Sequence, residues 1–240
     1  QSEKMIAPGY EPQLTLNFHS IDVTYVPTQG LLARKHREEV RNRIRSINMP
    51  KDIQEANFKN YEQTTERAQA IFAAYDFVEN YTNQPNDFHK GLYLVGSFGI
   101  GKTYLLGAIA RELAEAGHST TLLHFPTFAV DMKQAIGKDL VGEKLNAIKQ
   151  APILMLDDIG ADAMSSWIRD EVFGVILQHR MQEQLPTFFS SNFTMLELEQ
   201  HLSVTQRGDE EPLKAKRIME RIRYLTKEIS MAGNNRRNQH

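Results

Sequence analysis

Cysteine is absent from the 240-residue chain, so disulfides and thiolate metal sites are excluded, and a reducing compartment agrees with that absence. Long apolar runs are missing too. Nothing approaches the about 18–20 residues that a membrane-spanning helix needs, and no basic-then-apolar leader opens the sequence. The chain is therefore expected to be cytoplasmic, with no membrane partner. An excess of either charge is also lacking, since 28 Lys and Arg stand against 30 Asp and Glu for a net charge of −2. This excludes a protein that coats nucleic acid by bulk charge; any such contact has to come from local patches. There is no internal repeat and no low-complexity tract. The chain opens on Gln1 and its first methionine is Met5, so a piece of a longer protein, shortened at its N-terminus, is expected. What is present, 41% hydrophobic and 24% charged residues, suffices for one sizeable core with appendages.

Residues 1–30 interleave Pro8, Gly9, Pro12, Pro27 and Gly30 with short β-like runs at Leu14–Leu16 and Ile21–Tyr25, which predicts an irregular arm. From Leu31 to Asn48, Leu32, Val40, Ile44 and Ile47 fall at helical spacing among Arg34, Lys35, Arg37, Arg41, Arg43 and Arg45. The pattern predicts a basic amphipathic helix ended by Pro50. A solvated charged face is the first reading of its arginines and a nucleic-acid contact the second. Residues 1–50 thus form an expected N-terminal arm, and 51–240 the main domain. A second helix is predicted from Thr64 or Thr65 to about Tyr81, with Ala68, Ile71, Phe72, Tyr75 and Val78 on one face. Beyond it, apolar runs at Leu92–Val95, Thr120–Phe125, Ile153–Asp157, Thr187–Ser190 and Glu228–Met231 alternate with helical segments. Such alternation predicts an α/β fold in which a five-stranded parallel sheet is flanked by helices.

The strongest local signal is Gly96-Ser97-Phe98-Gly99-Ile100-Gly101-Lys102-Thr103, a complete G-x-x-x-x-G-K-T between a predicted strand and a predicted helix. Glycines let successive backbone N–H groups turn inward onto phosphate oxygens, and the helix N-terminus adds partial positive charge. Lys102 would reach the β- and γ-phosphates of ATP, and Thr103 would ligate Mg²⁺. Asp157 and Asp158 end an apolar strand, at the edge where α/β sheets bind ligands. Asp157 is the expected Mg²⁺ ligand, and Asp158 the candidate for polarising the attacking water. A β-turn after a core strand is the competing explanation for this pair, weakened by the loop upstream. Asn192, just past the strand Thr187–Ser190, is a candidate sensor of the γ-phosphate or the water; a turn residue is the alternative. In the basic last segment Arg217 and Arg221 share a helical face. Either a solvated face or an arginine finger acting on a neighbouring subunit accounts for them.

The order GSFGIGKT, ILMLDDIG, TFFSSNF and AKRIMERIRYL resembles the AAA+ ATPases, specifically the DnaC/DnaI group of replicative helicase loaders, over roughly residues 50–237. RIMERIRYL and SSNF resemble the form found in Gram-positive bacteria. Asn57-Phe58-Lys59-Asn60-Tyr61 is similar to the stretch that precedes the core in that group and passes near the adenine in related ATPases. The resemblance implies a P-loop NTPase that grips the replicative DNA helicase and helps place it on single-stranded DNA in primosome assembly. It implies slow, partner-stimulated ATP hydrolysis. It assigns the phosphate and metal roles to Lys102, Thr103, Asp157 and Asp158, the sensor to Asn192, and the trans finger to Arg221, with Arg217 as the alternative. Self-association follows from that finger. The family's N-terminal helicase-binding domain, zinc-bearing in the Gram-positive form, finds no ligands here, and Arg236 or Arg237 is a weak substitute for a lid-borne sensor arginine.

Three rivals remain: a transposition helper ATPase of the IstB type, a P-loop kinase acting on a small molecule, and a nucleotide-binding module without turnover. Single-stranded DNA contacts are sought on the helix Phe128–Ile136, with Lys133, and at Phe193, where base stacking beside a cation could hold a strand. Core packing is the first reading of both phenylalanines.

Overall fold

The computed structural model describes residues 8–18, 20–62 and 64–233, and the chain divides into two compact units, Gln1–Asn42 and Arg43–His240. The sequence pattern had placed that division after residue 50.

The first unit is not an irregular arm. Tyr10–Asn17 (β1) and Ser20–Pro27 (β2) form an antiparallel hairpin with Leu14 opposite Val23 and Leu16 opposite Ile21. Apolar pairs therefore share one face while Thr15–Asp22 and Gln13–Thr24 occupy the other. Pro12 and Pro27 argue against a strand inside a sheet, but a two-stranded ribbon has only edges, where a missing N–H costs little. Helix α1 covers Gln29–Arg43 and stops short of the predicted Asn48. The next residues, Ile44–Ile47, extend into strand β3. Two isoleucines three apart satisfy a helical repeat, and their β-branched side chains suit a sheet edge equally well.

That strand is the reason the sheet of the second unit has six members rather than five. With Gly91–Val95 (β4), Thr120–His124 (β5), Ile153–Asp157 (β6), Thr187–Ser191 (β7) and Thr226–Ser230 (β8), its order is β3-β5-β6-β7-β4-β8, and every neighbouring pair is parallel. Strands β4, β6 and β7 are buried along their whole lengths, which explains their near-continuous apolar runs. Alternate residues supply two cores. Tyr93, Val95, Leu154, Leu156 and Phe189 face one side, and Leu92, Leu94, Ile153, Met155 and Phe188 the other. The second face is covered by α2 (Thr65–Asn83) and α3 (Lys102–Glu115). The first is covered by α4 (Phe125–Ala135), α5 (Val141–Lys149), α6 (Gly174–Gln182), α7 (Met195–Ser203) and α8 (Pro212–Leu225). A π-helical turn, Ile168–Phe173, leads into α6.

Arg180 of α6 is fully buried and fixes the strand starts opposite the ligand edge. Its guanidinium donates to the carbonyls of Ala151 and Pro186 and to the Thr187 hydroxyl, each at 2.7 Å, tying the entrance of β6 to that of β7. Burial pushes its pKa down to about 9. No helix among the described residues is long and apolar enough to cross a membrane.

Candidate active site

The chain leaves β4 at Gly96, where a side chain has no room: a Cβ would lie 2.3 Å from the Met231 carbonyl oxygen and 2.4 Å from Ile100 Cδ1. Ile100 is buried and anchors the loop, while Phe98 remains exposed. The loop closes at Gly101, whose φ of 97° is the left-handed conformation that glycine adopts without strain, and α3 starts at the next residue. Residues 96–101 thus turn tightly in front of a helix N-terminus, the geometry that presents backbone N–H groups to an anion.

Lys102 is buried beneath this loop. Its Nζ donates to the carbonyls of Gly96 (2.6 Å) and Ser97 (2.9 Å) and to Asn192 Oδ1 (2.8 Å). Thr103 Oγ1 lies 2.9 and 3.1 Å from the two carboxylate oxygens of Asp157. Ser190 Oγ also donates to Asp157 and accepts the backbone N–H of Asp158 at 2.9 Å. Asp158 sits at φ 61°, held there by that bond and by the Ile159 N–H donating to the Ser190 carbonyl at 2.9 Å. A left-handed non-glycine residue is sparsely populated backbone that its surroundings must enforce. Asn192 Nδ2 approaches Asp158 Oδ1 at 3.4 Å. Lys102, Thr103, Asp157, Asp158 and Asn192, drawn from three separate stretches of sequence, thus meet in one cleft of about 420 Å³.

Burial pushes the Asp157 carboxyl above the ordinary carboxylate range, against the pull of the hydrogen bonds from Ser190 and Thr103. A folded-state pKa raised above the unfolded value means that this group contributes most stability at low pH and loses it as pH rises through the raised value. Asp157→Asn is therefore expected to raise the melting temperature of the nucleotide- and metal-free protein at neutral pH. The difference should shrink on mild acidification. Thermal melts of both proteins in a chelator check this, and a lower melting temperature for the variant at neutral pH would contradict it.

Other expected site residues lie elsewhere. Arg221 is half-buried on α8 with Nη1 donating to the Gly174 carbonyl of α6 at 2.8 Å, and burial lowers its pKa. Arg217, one turn earlier, is exposed. Asn57–Tyr61 packs behind the start of α3, with the Tyr61 hydroxyl 3.5 Å from the Gly101 carbonyl; Pro50 and Ile53 line the cleft instead. Lys133 is exposed on α4, Phe128 is in the core, and half-buried Phe193 stacks on His201 with ring centroids 4.9 Å apart. Arg236 and Arg237 fall outside the described residues. Sequence reasoning missed Ser190 and His124, which also lines the cleft. The available signal was a polar residue closing an apolar strand, as His124 does after Leu122-Leu123.

With this geometry in place, the comparisons with known proteins are specific. Residues 17–240 match the family described as IstB-like ATP binding protein. The replicative helicase loader DnaI of Bacillus subtilis (strain 168) is 44% identical over 232 residues, 95% of this chain and 73% of that protein. A crystal structure of DnaI superposes with a TM-score of 0.72 at 45% identity, covering 82% of this chain and 99% of the other. That of a putative primosome component from Streptococcus pyogenes serotype M3 gives 0.69 at 44%, covering 82% and 97%. The DnaC helicase loader shares the fold, with a TM-score of 0.64 at 22% identity over 76% of this chain and 100% of that one. The chain therefore belongs to the IstB-like ATP-binding proteins, an AAA+ family, and within it to the DnaC/DnaI group of helicase loaders.

Proposed function

We propose that this protein hydrolyses ATP and couples its nucleotide state to loading the replicative DNA helicase onto single-stranded DNA. The observation that carries this is the convergence of Lys102, Thr103, Asp157, Asp158 and Asn192 on one cleft at the strand ends. In this reading the N–H groups of residues 96–101 surround the β-phosphate, and Lys102 exchanges the Gly96 and Ser97 carbonyls for β- and γ-phosphate oxygens. The Thr103 hydroxyl and the Asp157 carboxylate, already in contact, are hard oxygen donors suited to Mg²⁺. Bound there, Mg²⁺ would neutralise phosphate charge. Asp158 accepts a proton from the attacking water, and Asn192 orients that water or the γ-phosphate.

The charge that develops in the transition state calls for a further cation, which Arg221 or Arg217 of a second copy supplies. Arg221 would have to leave the Gly174 carbonyl; Arg217 is free of that cost. A transposition helper ATPase of the IstB type is the second reading, because the matching family is described as IstB-like ATP binding protein, but 44% identity over 95% of the chain with a named helicase loader favours loading.

The test is ATP turnover of the protein alone, with single-stranded DNA, and with the replicative helicase. A low basal rate raised by these partners is expected, and DNA affinity should fall steeply with salt. Arg221→Ala should keep ATP binding and lose turnover by roughly 10³-fold. Mixing it with Asp158→Asn protein should restore part of the rate, because intact sites then face intact fingers. No restoration, together with full turnover in Arg217→Ala, would sink the shared site; failure of the full-length protein to bind the helicase would sink the loading role.

A further inference from the structure

We propose that helix α1 is a contact surface for the phosphate backbone of single-stranded DNA, which Arg34, Arg37 and Arg41 grip together. The inference rests on the single-stranded DNA partner proposed above and names the surface that meets it. Spacings of three and four residues put these arginines on one face of α1. At a rise of about 1.5 Å per residue the stripe is about 10 Å long. One strand carries a phosphate charge about every 3.4 Å, so the stripe matches a run of about three phosphates.

Packing does not account for these arginines. The buried residues of α1 are Leu31 and Val40, which lie half a turn out of phase, so no apolar stripe runs along the helix. Leu31 packs against Gly9 at the root of the hairpin, and its N–H donates to the Thr28 hydroxyl at 3.2 Å. Every residue from 32 to 39 is exposed. A helix exposed all round is normally held by many i, i+4 ion pairs. Arg34 and Glu38 have that spacing, as do Lys35 and Glu39, but in the weaker order with the cation first, and neither pair closes. Among the described residues, Arg34, Lys35, Arg37, Glu38, Glu39 and Arg41 have no ionic or hydrogen-bonded side-chain partner. Like charges one turn apart repel, and a polyanion laid along the stripe relieves that repulsion. Arginine also suits phosphate better than lysine does, because its planar fork donates two parallel hydrogen bonds. A helix that lies on a lipid surface buries an apolar face; α1 has none to offer, which favours nucleic acid.

The competing role is a solvated connecting helix, and equilibrium binding of the whole chain to a fluorescent oligothymidine across a range of salt separates the two. Wild type is compared with the triple variant Arg34→Gln, Arg37→Gln, Arg41→Gln, since glutamine has nearly the helix propensity of arginine. Each phosphate contact on a single strand contributes about 0.7 to the slope of log K against log salt, so that slope should become shallower by about 2. Affinity should fall by about 10- to 100-fold at 0.1 M salt, with ATP turnover in the absence of DNA unchanged. Lysine at the same three positions keeps the charge and loses the fork, so the slope should stay while affinity falls less. Glu38→Gln removes a carboxylate beside the stripe and should tighten binding, which keeps the test open should the triple variant fail to fold. Wild-type affinity and slope in both the triple variant and Glu38→Gln would overturn this proposal alone and leave α1 a connector. No binding of the oligothymidine by wild type would overturn the single-stranded DNA partner, and this proposal with it. If the triple variant instead lost binding to phosphatidylserine vesicles and kept its grip on DNA, the arginines would belong to a lipid surface and the proposal would be overturned.

Discussion

Asp158→Asn is expected to lower ATP turnover by roughly 10²- to 10⁴-fold, the usual contribution of a positioned general base, while leaving nucleotide affinity unchanged. Asparagine suits the test because Asp158 sits at φ 61°. Asparagine tolerates the left-handed region better than alanine does, so the turn and its bond to Ser190 Oγ survive and only the proton acceptor is lost. The measurement is steady-state phosphate release beside equilibrium ATP binding. Unimpaired release would remove Asp158 from the chemistry and favour a binding module without turnover.

Lys102→Ala is expected to weaken ATP and ADP binding by about 10- to 100-fold, since each hydrogen bond to a charged group contributes about 1.5–3 kcal/mol. Adenosine, which has no phosphate, should bind the variant and the wild type alike. The three bonds from Nζ to Gly96, Ser97 and Asn192 are lost as well, leaving those acceptors unpaired. A fall in melting temperature should therefore accompany the effect, and the adenosine comparison separates a damaged fold from a lost phosphate contact. Retained affinity for ATP would count heavily against the assignment.

How much of this could be read from the residues depended on the distance over which the information is written. The phosphate loop is local: its glycines, Lys102 and Thr103 fall within residues 96–103 and a motif search finds them, even though the crowding at Gly96 comes partly from the distant Met231 carbonyl. Strands β4, β6 and β7 were legible because burial on both faces makes them largely apolar, whereas β8, exposed at Lys227 and Glu228, was legible only in its second half. β3 was not, because Ile44 and Ile47 fit a helix and a strand equally well, and only pairing with β5 decides between them. The hairpin was obscured by Pro12 and Pro27, whose penalty vanishes in a two-stranded ribbon.

The members of the site that sequence reasoning missed are of one kind. Ser190 and His124 acquire meaning from strand register, which sets His124 against Asp157 and Ser190 beneath the β6 turn. The local cue, a polar residue closing an apolar strand, does not reveal which neighbours the register supplies. Pro50 and Ile53 similarly line the cleft only because the chain before α2 folds across α3, where a Cβ at Gly107 would lie 2.8 Å from Ile53 Cγ2.

The most direct test of the central claim is a structure of this protein with Mg²⁺ and a non-hydrolysable ATP analogue. The account predicts the triphosphate inside the loop of residues 96–101, Lys102 Nζ moved from the loop carbonyls onto phosphate oxygens, and the metal between Thr103 and Asp157. A nucleotide bound elsewhere, with Lys102 still on Gly96 and Ser97, would contradict it.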